Sequence, residues 1–165
     1  MPAGCLFLLN RKTTSVLTCR GLGGFEAFSG KATGRNNPDL TYRKNIGALP
    51  EGTYYLVDRQ SGGRLGFVRD TWNAYGFGST DHREWFMLWN PATGDKTNIY
   101  GIERGNFRLH PAGPQGLSEG CITVKRPYDF QRLAAYIRSH GMKVAVPGTS
   151  MKAYGTVIVR RVLDR

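Results

Sequence analysis

The sequence predicts a mainly β fold, a sandwich or barrel-like sheet with one packing helix at about residues 127–140. Short apolar runs separated by turn residues recur along the whole chain of 165 residues. The 22 glycines and 8 prolines suit tight turns, because glycine adopts positive φ and proline presets turn geometry. No internal repeat, low-complexity tract or long linker divides the chain, so we expect a single domain over residues 1–165.

The predicted strands are apolar runs bounded by Gly, Pro, Asn or Asp. In chain order they are CLFLLN, SVLTC, GTYYLVDR, RLGFVR, EWFMLWN, NIYGI, NFRLH, CITV, KVAV and YGTVIVRRV. So many short strands favour a sandwich or a barrel, in which each strand buries one face against the core.

The helix is predicted from the segment RPYDFQRLAAYIRSHG. Pro127 suits its first turn and Gly141 suits its C-terminal end. Four apolar residues recur at helical spacing, namely Phe130, Leu133, Ala134 and Ile137. We expect this stripe to pack on a face of the sheet.

The segment 30–50, GKATGRNNPDLTYRKNIGALP, is polar, rich in turn residues and without a clear period. Connections of this length in compact domains usually have a function or are mobile. We therefore interpret it as a lid or capping loop over a site, with a partly ordered surface excursion as the alternative.

The charge of the chain favours an acidic partner. Lys and Arg number 23 against 12 Asp and Glu, a net charge of +11, which suits nucleic acid, anionic lipid or an acidic cell-wall polymer. The apolar run at the N-terminus, Cys5–Leu9, is too short to span a membrane and makes a poor signal peptide. We expect no membrane insertion, and action outside the cytoplasm would require separate delivery machinery.

Two of the three cysteines lie in a predicted hairpin, CLFLLNRKTTSVLTC. A turn centred on Lys12 places Cys5 opposite Cys19, with Phe7 and Leu17 on the same face. A disulfide in an oxidising compartment and a pair of buried small side chains both remain open at this stage. Either interpretation leaves Cys121 outside the pair.

Cys121 and His110 are the candidate catalytic residues. A cysteine is a useful nucleophile only as a thiolate, so it needs a base or electropositive surroundings. His110 ends the run NFRLH and Cys121 begins CITV, so adjacent strands of a hairpin would bring the two side chains within hydrogen-bonding reach. A turn that merely contains both residues is the competing interpretation.

The connecting loop, PAGPQGLSEG, has features that suit acyl transfer. Gly120 beside Cys121 allows successive N–H groups to point at a developing oxyanion. Ser118 can brace the loop through a side-chain to backbone bond. His82 and His140 offer no metal-ligand spacing, so we expect no metal and no cofactor.

Three other classes compete with a cysteine enzyme built on His110 and Cys121. A nucleic-acid binder would explain the charge, but RNP-like aromatic strands, zinc spacing and a basic helix are missing from the sequence. A non-catalytic basic cell-wall binding module gives no reason for His110 and Cys121. A cysteine amidase or peptidase of another fold often places the cysteine before the histidine, although chain order does not decide the matter.

The residues SEGCI after an upstream histidine resemble the L,D-transpeptidase signature. Four ordered blocks between Phe25 and Val159 are similar to the type VI secretion L,D-transpeptidase effectors, which are antibacterial toxins. The blocks are FEAFSGKATGRNNPD, LPEGTYYLVDR, LHPAGPQGLSEGCITV and VPGTSMKAYGTVIV. Two features depart from the broader signature: Glu119 replaces its second histidine, and His110 lies closer to Cys121 than is usual.

The resemblance implies an L,D-transpeptidase-like fold that acts on the tetrapeptide stems of peptidoglycan. Cys121 would attack the carbonyl of the diamino acid before the terminal D-alanine, and His110 would be the base. Backbone donors near Gly120 and Cys121 would hold the oxyanion. Water would give an L,D-carboxypeptidase product, a D-amino acid an exchanged stem, and another stem a crosslink.

The implied biology is that of a secreted toxin. The chain would be made in the cytoplasm without a signal peptide and would act as a monomer in the periplasm of target bacteria. Its partners would be peptidoglycan stems, D-amino acids as acceptors, a cognate immunity protein and a type VI loading component. The carboxylates of the stems suggest basic binding residues, so the candidate substrate contacts are Arg108, Arg43 and Arg126. Glu119 is a further candidate at the substrate site, where it would orient His110 or repel an acidic substrate; a side chain that points into solvent is the alternative.

Overall fold

Strands dominate the computed structural model, which describes residues 1–58, 85–113, 118 and 120–163. The strands are β1 (Ala3–Leu9), β2 (Ser15–Cys19), β3 (Gly23–Phe28), β4 (Gly52–Asp58), β5 (Phe86–Trp89), β6 (Lys96–Ile99), β7 (Ile102–Gly105), β8 (Arg108–Pro111), β9 (Ile122–Val124), β10 (Val144–Ala145), β11 (Lys152–Ala153) and β12 (Gly155–Arg161). One α-helix, α1, runs from Pro127 to Ser139 within these ranges. The predicted mainly β class is confirmed.

Eight strands close into a barrel in the order β1-β12-β4-β5-β8-β9-β3-β2. Side chains alternate between buried and partly buried positions along β1, as expected for a strand with one face on the core. The main hydrophobic cluster draws on most of these strands and on the helix. The hairpins β6–β7 and β10–β11 form separate two-stranded sheets.

A parallel pair joins the two ends of the chain, since β1 pairs with β12 from Ala3↔Gly155 to Leu9↔Arg161. A Cβ atom on Gly155 would overlap the carbonyl oxygen of Ala3. Only glycine therefore permits the close approach of these two strands.

The hairpin of β1 and β2 has the predicted register. Cys5 pairs with Cys19 and Phe7 with Leu17. A disulfide joins the two cysteines, whose Cα atoms are 4.1 Å apart. The structure thus decides between the two interpretations that the sequence left open.

The helix α1 confirms the predicted stripe. Phe130, Leu133, Ala134 and Ile137 are its buried residues. They pack toward β8 and β9, the strands that carry His110 and follow Cys121. The helix described here is too short and too polar to cross a bilayer.

The predicted strand NIYGI is wrong, because its centre is the tip of the β6–β7 hairpin. Tyr100 and Gly101 have φ values of 52° and 80°, the backbone of a tight two-residue turn rather than an extended strand. Strand β3 was not predicted, since its two leading glycines hide the alternation of its apolar residues. The predicted strand RLGFVR lies outside the described residues.

The segment 30–50 contains two short 3-10 turns, Ala32–Gly34 and Pro38–Leu40. Ser29, which directly precedes the segment, binds it at two points: its amide donates to Asn36 Oδ1 at 2.8 Å, and its hydroxyl accepts from the Leu49 amide at 2.8 Å. The segment is therefore tied to the barrel at buried polar contacts. Its role as a lid stays a prediction.

Candidate active site

Strands β8 and β9 lie side by side but run parallel, so the predicted hairpin between them is wrong. Their register pairs His110 with Thr123. The connection must bring the chain back so that β9 starts beside the start of β8, whereas a hairpin would make the two strands antiparallel. Cys121 directly precedes β9, two positions before Thr123, and so lies diagonally across from His110.

His110 is almost fully buried, with 3% of its surface exposed. Its Nδ1 atom is 2.7 Å from the carbonyl oxygen of Pro111. Because a carbonyl oxygen only accepts, Nδ1 carries the proton and Nε2 keeps its lone pair. Nε2 lies 3.5 Å from the hydroxyl oxygen of Thr123, on the strand that follows Cys121. This tautomer suits a general base that faces β9.

The ring of His110 stacks on the indole of Trp85. The two ring centroids are 4.4 Å apart and the planes differ by 20°. Strand β5 is antiparallel to β8 and pairs Phe86 with Leu109, so Trp85, one residue earlier, lies opposite His110. The buried indole therefore limits rotation of the imidazole.

Cys121 is half-buried, and its thiol is 3.7 Å from the carbonyl oxygen of Asn106. The Ser118 hydroxyl donates to the carbonyl oxygen of Cys121 at 2.8 Å. The same hydroxyl accepts from the amide of Gly30 at 3.3 Å. Ser118 therefore connects the start of the 30–50 segment to the backbone of the candidate nucleophile.

Gly120 has a φ of 112°, and the position has no room for a side chain. A Cβ atom there would overlap the guanidinium of Arg104 and would lie 2.8 Å from the ring of Phe107. Glycine is thus required twice over, for its backbone conformation and for the close packing beside Cys121.

Arg104 holds the 41–48 stretch against the site, a role that the sequence did not indicate. The residue is 5% exposed. Its guanidinium donates to the carbonyl oxygens of Gly47 and Ala48, both at 2.8 Å, and to that of Thr41. One buried cation therefore touches both this stretch and Gly120.

The predicted substrate contacts are dispersed. Arg108 is buried and donates to both carboxylate oxygens of Asp95, at 2.7 and 3.0 Å. Arg126 is exposed and lies 3.2 Å from a carboxylate oxygen of Glu26. Arg43 is an exposed turn residue. Glu119 lies outside the described residues, and a substrate role for any of the four stays a prediction.

Trp85 and Thr123, like Arg104, are residues of the site that sequence reasoning missed. Alternation along CITV puts Thr123 on the same face as Cys121, so a signal for it was present. No local signal marks Trp85, because its contact depends on the register between two strands far apart in the sequence. In the ranges that the structure describes, no group of His, Cys, Asp or Glu is arranged to hold a metal.

Comparison with known proteins assigns this chain to a family. The family model described as the Tlde1 domain matches residues 23–149, which include His110, Cys121 and the 30–50 segment. No curated protein matches the chain. The family comprises type VI effectors with transpeptidase-like activity, which modify peptidoglycan and are secreted against target bacteria. The chain belongs to the Tlde1 domain family of type VI secretion L,D-transpeptidase effectors.

Proposed function

We propose that the protein cleaves peptidoglycan tetrapeptide stems through a cysteine thioester, with Cys121 as nucleophile and His110 as base. The observation that carries this proposal is the hydrogen bond from His110 Nδ1 to the Pro111 carbonyl oxygen. It leaves a lone pair on Nε2, the ring nitrogen that faces the strand after Cys121.

In the proposed acylation step, His110 Nε2 takes the thiol proton and the thiolate attacks the carbonyl carbon of the diamino acid before the terminal D-alanine. The C–S bond forms and the C–N bond breaks, and the imidazolium returns its proton to the leaving amine. Backbone N–H groups near Gly120 and Cys121 stabilise the oxyanion. The products are the thioester on Cys121 and D-alanine.

The second step depends on the acceptor. Water releases a tripeptide stem, which is an L,D-carboxypeptidase product, and a D-amino acid gives an exchanged stem. Both reactions remove the donor stems that wall crosslinking requires, which would explain toxicity in the periplasm of target bacteria. A third acceptor, the amine of another stem, gives a crosslink. A cognate immunity protein and a type VI loading component complete the proposed system.

The net charge of +11 suits this substrate, because stem peptides carry several carboxylates. Arg43 and Arg126 are exposed and contribute to this positive surface charge. We propose the 30–50 segment as the lid of this single catalytic domain, supported by the bond between the Gly30 amide and Ser118.

The test compares wild-type protein with Cys121→Ala after export of each to a bacterial periplasm. We expect wild type to deplete tetrapeptide stems in the muropeptide profile, with tripeptide or exchanged stems accumulating, and Cys121→Ala to leave the profile unchanged. Equal expression of both proteins is the control. Depletion of tetrapeptide stems by Cys121→Ala at the wild-type level would contradict the thioester mechanism.

A further inference from the structure

A cavity of about 420 Å³ lies between the 38–51 stretch, the β6–β7 hairpin and the end of β12. Its size falls in the usual range of ligand sites, about 300–1,000 Å³. None of its lining residues takes part in the proposed thioester chemistry. Those that bear on its ligand are Asp39, Thr41, Glu51, Ile99, Tyr100 and Arg161.

Tyr100 lies at this cavity in a strained backbone conformation. It occupies the first position of the turn between Ile99 and Ile102, with φ at 52°, where Asn, Asp or Gly is preferred. Its side chain is 87% exposed, so burial does not compensate for the strain. A residue kept in such a conformation indicates a function for its side chain.

A second aromatic ring extends this surface. The ring of Tyr42 meets that of Tyr100 edge-on, with centroids 5.7 Å apart and an interplanar angle of 68°. A tyrosine ring offers an apolar face and a hydroxyl in one group, and here Tyr100 is exposed while Tyr42 is half-buried. Such rings suit a ligand that has both apolar C–H faces and hydroxyl groups.

The charged groups of the cavity compensate one another. Arg161 donates to Glu51 at 2.6 Å and to Asp39 at 3.3 Å, and Arg11 also pairs with Asp39. The Arg11 guanidinium holds the pKa of the Asp39 carboxyl below its ordinary value, so this group stays an ionised acceptor near neutral pH. The lining therefore favours a neutral, hydroxyl-rich ligand over an ionic one.

We propose that this cavity binds the glycan strand of peptidoglycan, a chain of N-acetylated amino sugars, with Tyr100 stacked on a sugar ring. The inference rests on the proposed function in one respect, that stem peptides attached to this strand are the substrate. Where a stem peptide is attached, the carboxyl group of the muramic sugar is converted to an uncharged amide. The glycan is then neutral, as the balanced lining requires.

The position of the cavity suits a substrate that spans both sites. Thr41 lines the cavity, and its carbonyl oxygen accepts from Arg104. The other end of the same guanidinium packs against Gly120, the residue before Cys121. A glycan strand in the cavity therefore presents its stems in the neighbourhood of the nucleophile.

The test measures binding of the N-acetylglucosamine hexamer, a neutral probe, to the full chain with Cys121→Ala. Adding Tyr100→Ala should weaken binding about tenfold, since a lost aromatic contact has an effect of this order. Tyr100→Asn should weaken it equally while it raises thermal stability, because asparagine suits the turn. Tyr128→Ala is the matched control, a tyrosine 70% exposed on α1, and should bind as the parent does.

With active enzyme, Tyr100→Ala should lower kcat/KM for intact sacculi about tenfold more than for a soluble tetrapeptide. Equal hexamer affinity of the parent and Tyr100→Ala would overturn the glycan assignment and leave a protein partner for the two tyrosine rings. Equal losses in Tyr100→Ala and Tyr128→Ala would also overturn it. The binding assay uses catalytically disabled protein, so failure of the thioester mechanism would not affect its result.

Discussion

The imidazole of His110 lies almost parallel to the indole of Trp85, with 4.4 Å between the ring centroids. Both rings are buried. The stack restricts the orientation of the imidazole ring, and the Pro111 carbonyl sets its tautomer. Together the two contacts orient the ring so that Nε2 faces Thr123, on the strand that follows Cys121.

Replacement of Trp85 tests whether its indole orients the His110 imidazole or only fills space in the core. In Trp85→Leu we expect kcat to fall about tenfold, because an aromatic stack contributes up to about 1.5 kcal/mol. KM should change little, since the indole acts on the imidazole. Trp85→Phe keeps an aromatic face and should retain most of kcat in steady-state assays on a soluble tetrapeptide. Equal losses in the two variants would contradict a stacking role.

His110→Gln removes the proposed base. General-base catalysis typically contributes about 10²–10⁴-fold, so kcat should fall by that factor in the same assay. His140→Gln, at the C-terminal end of α1, is the matched control and should stay near wild type. A His110→Gln enzyme with wild-type kcat would exclude this histidine as the base.

Gly120→Ala tests the packing beside Cys121. The added Cβ would overlap the Arg104 guanidinium, so the backbone at position 120 should shift and the variant should lose most of its activity. Gly23→Ala is the matched control, because Gly23 has a nearly equal φ of 116° but open space around it. The Gly23→Ala variant therefore has the backbone strain without the steric overlap, and this strain should lower its stability by about 1 kcal/mol. Comparable activity in the two variants would show that the contact with Arg104 does not matter.

The disulfide should stabilise the barrel without taking part in the chemistry. In Cys5→Ala/Cys19→Ala the free energy of unfolding should fall by about 3 kcal/mol, the usual contribution of a loop of this length. Urea denaturation measures the change, and wild type in excess dithiothreitol should approach the variant. Titration with a thiol reagent should find one reactive thiol in the oxidised protein, from Cys121. An unchanged urea midpoint would contradict the prediction.

Local patterns predicted a large part of the fold. The four buried residues of α1 follow from a 3.6-residue period, and the register of Cys5 with Cys19 follows from the turn between their strands. Short-range patterns failed where glycine dominates, as in β3 and at the Tyr100–Gly101 turn. Alternation is weak or absent there, so no period marks the element.

His110 and Cys121 were selected as catalytic candidates from their chemistry, and their roles stay predictions. The direction of β9 relative to β8 was not predicted, because a connection of about ten residues lies at the lower limit for a parallel crossover and is also compatible with a hairpin. Arg104 lies 16 residues before Gly120 in the sequence. Its contact with Gly120 arises only when β7, the 41–48 stretch and the loop before Cys121 pack together.

From its chemistry the sequence suggested His110 and Cys121 as catalytic residues, an assignment that stays a prediction. The sequence alone determined the β class, the helix and its buried face, and the first hairpin. Each depends on neighbours within about one element, where periodicity and turn preference act. Only the tertiary structure decided the disulfide, the parallel β8–β9 pair, the stack of Trp85 on His110 and the anchoring role of Arg104. The parallel pair, the stack and the contacts of Arg104 each join segments far apart in the sequence, so no local pattern encodes them. The disulfide depends on whether the two paired thiols are oxidised, which the register of the hairpin leaves open.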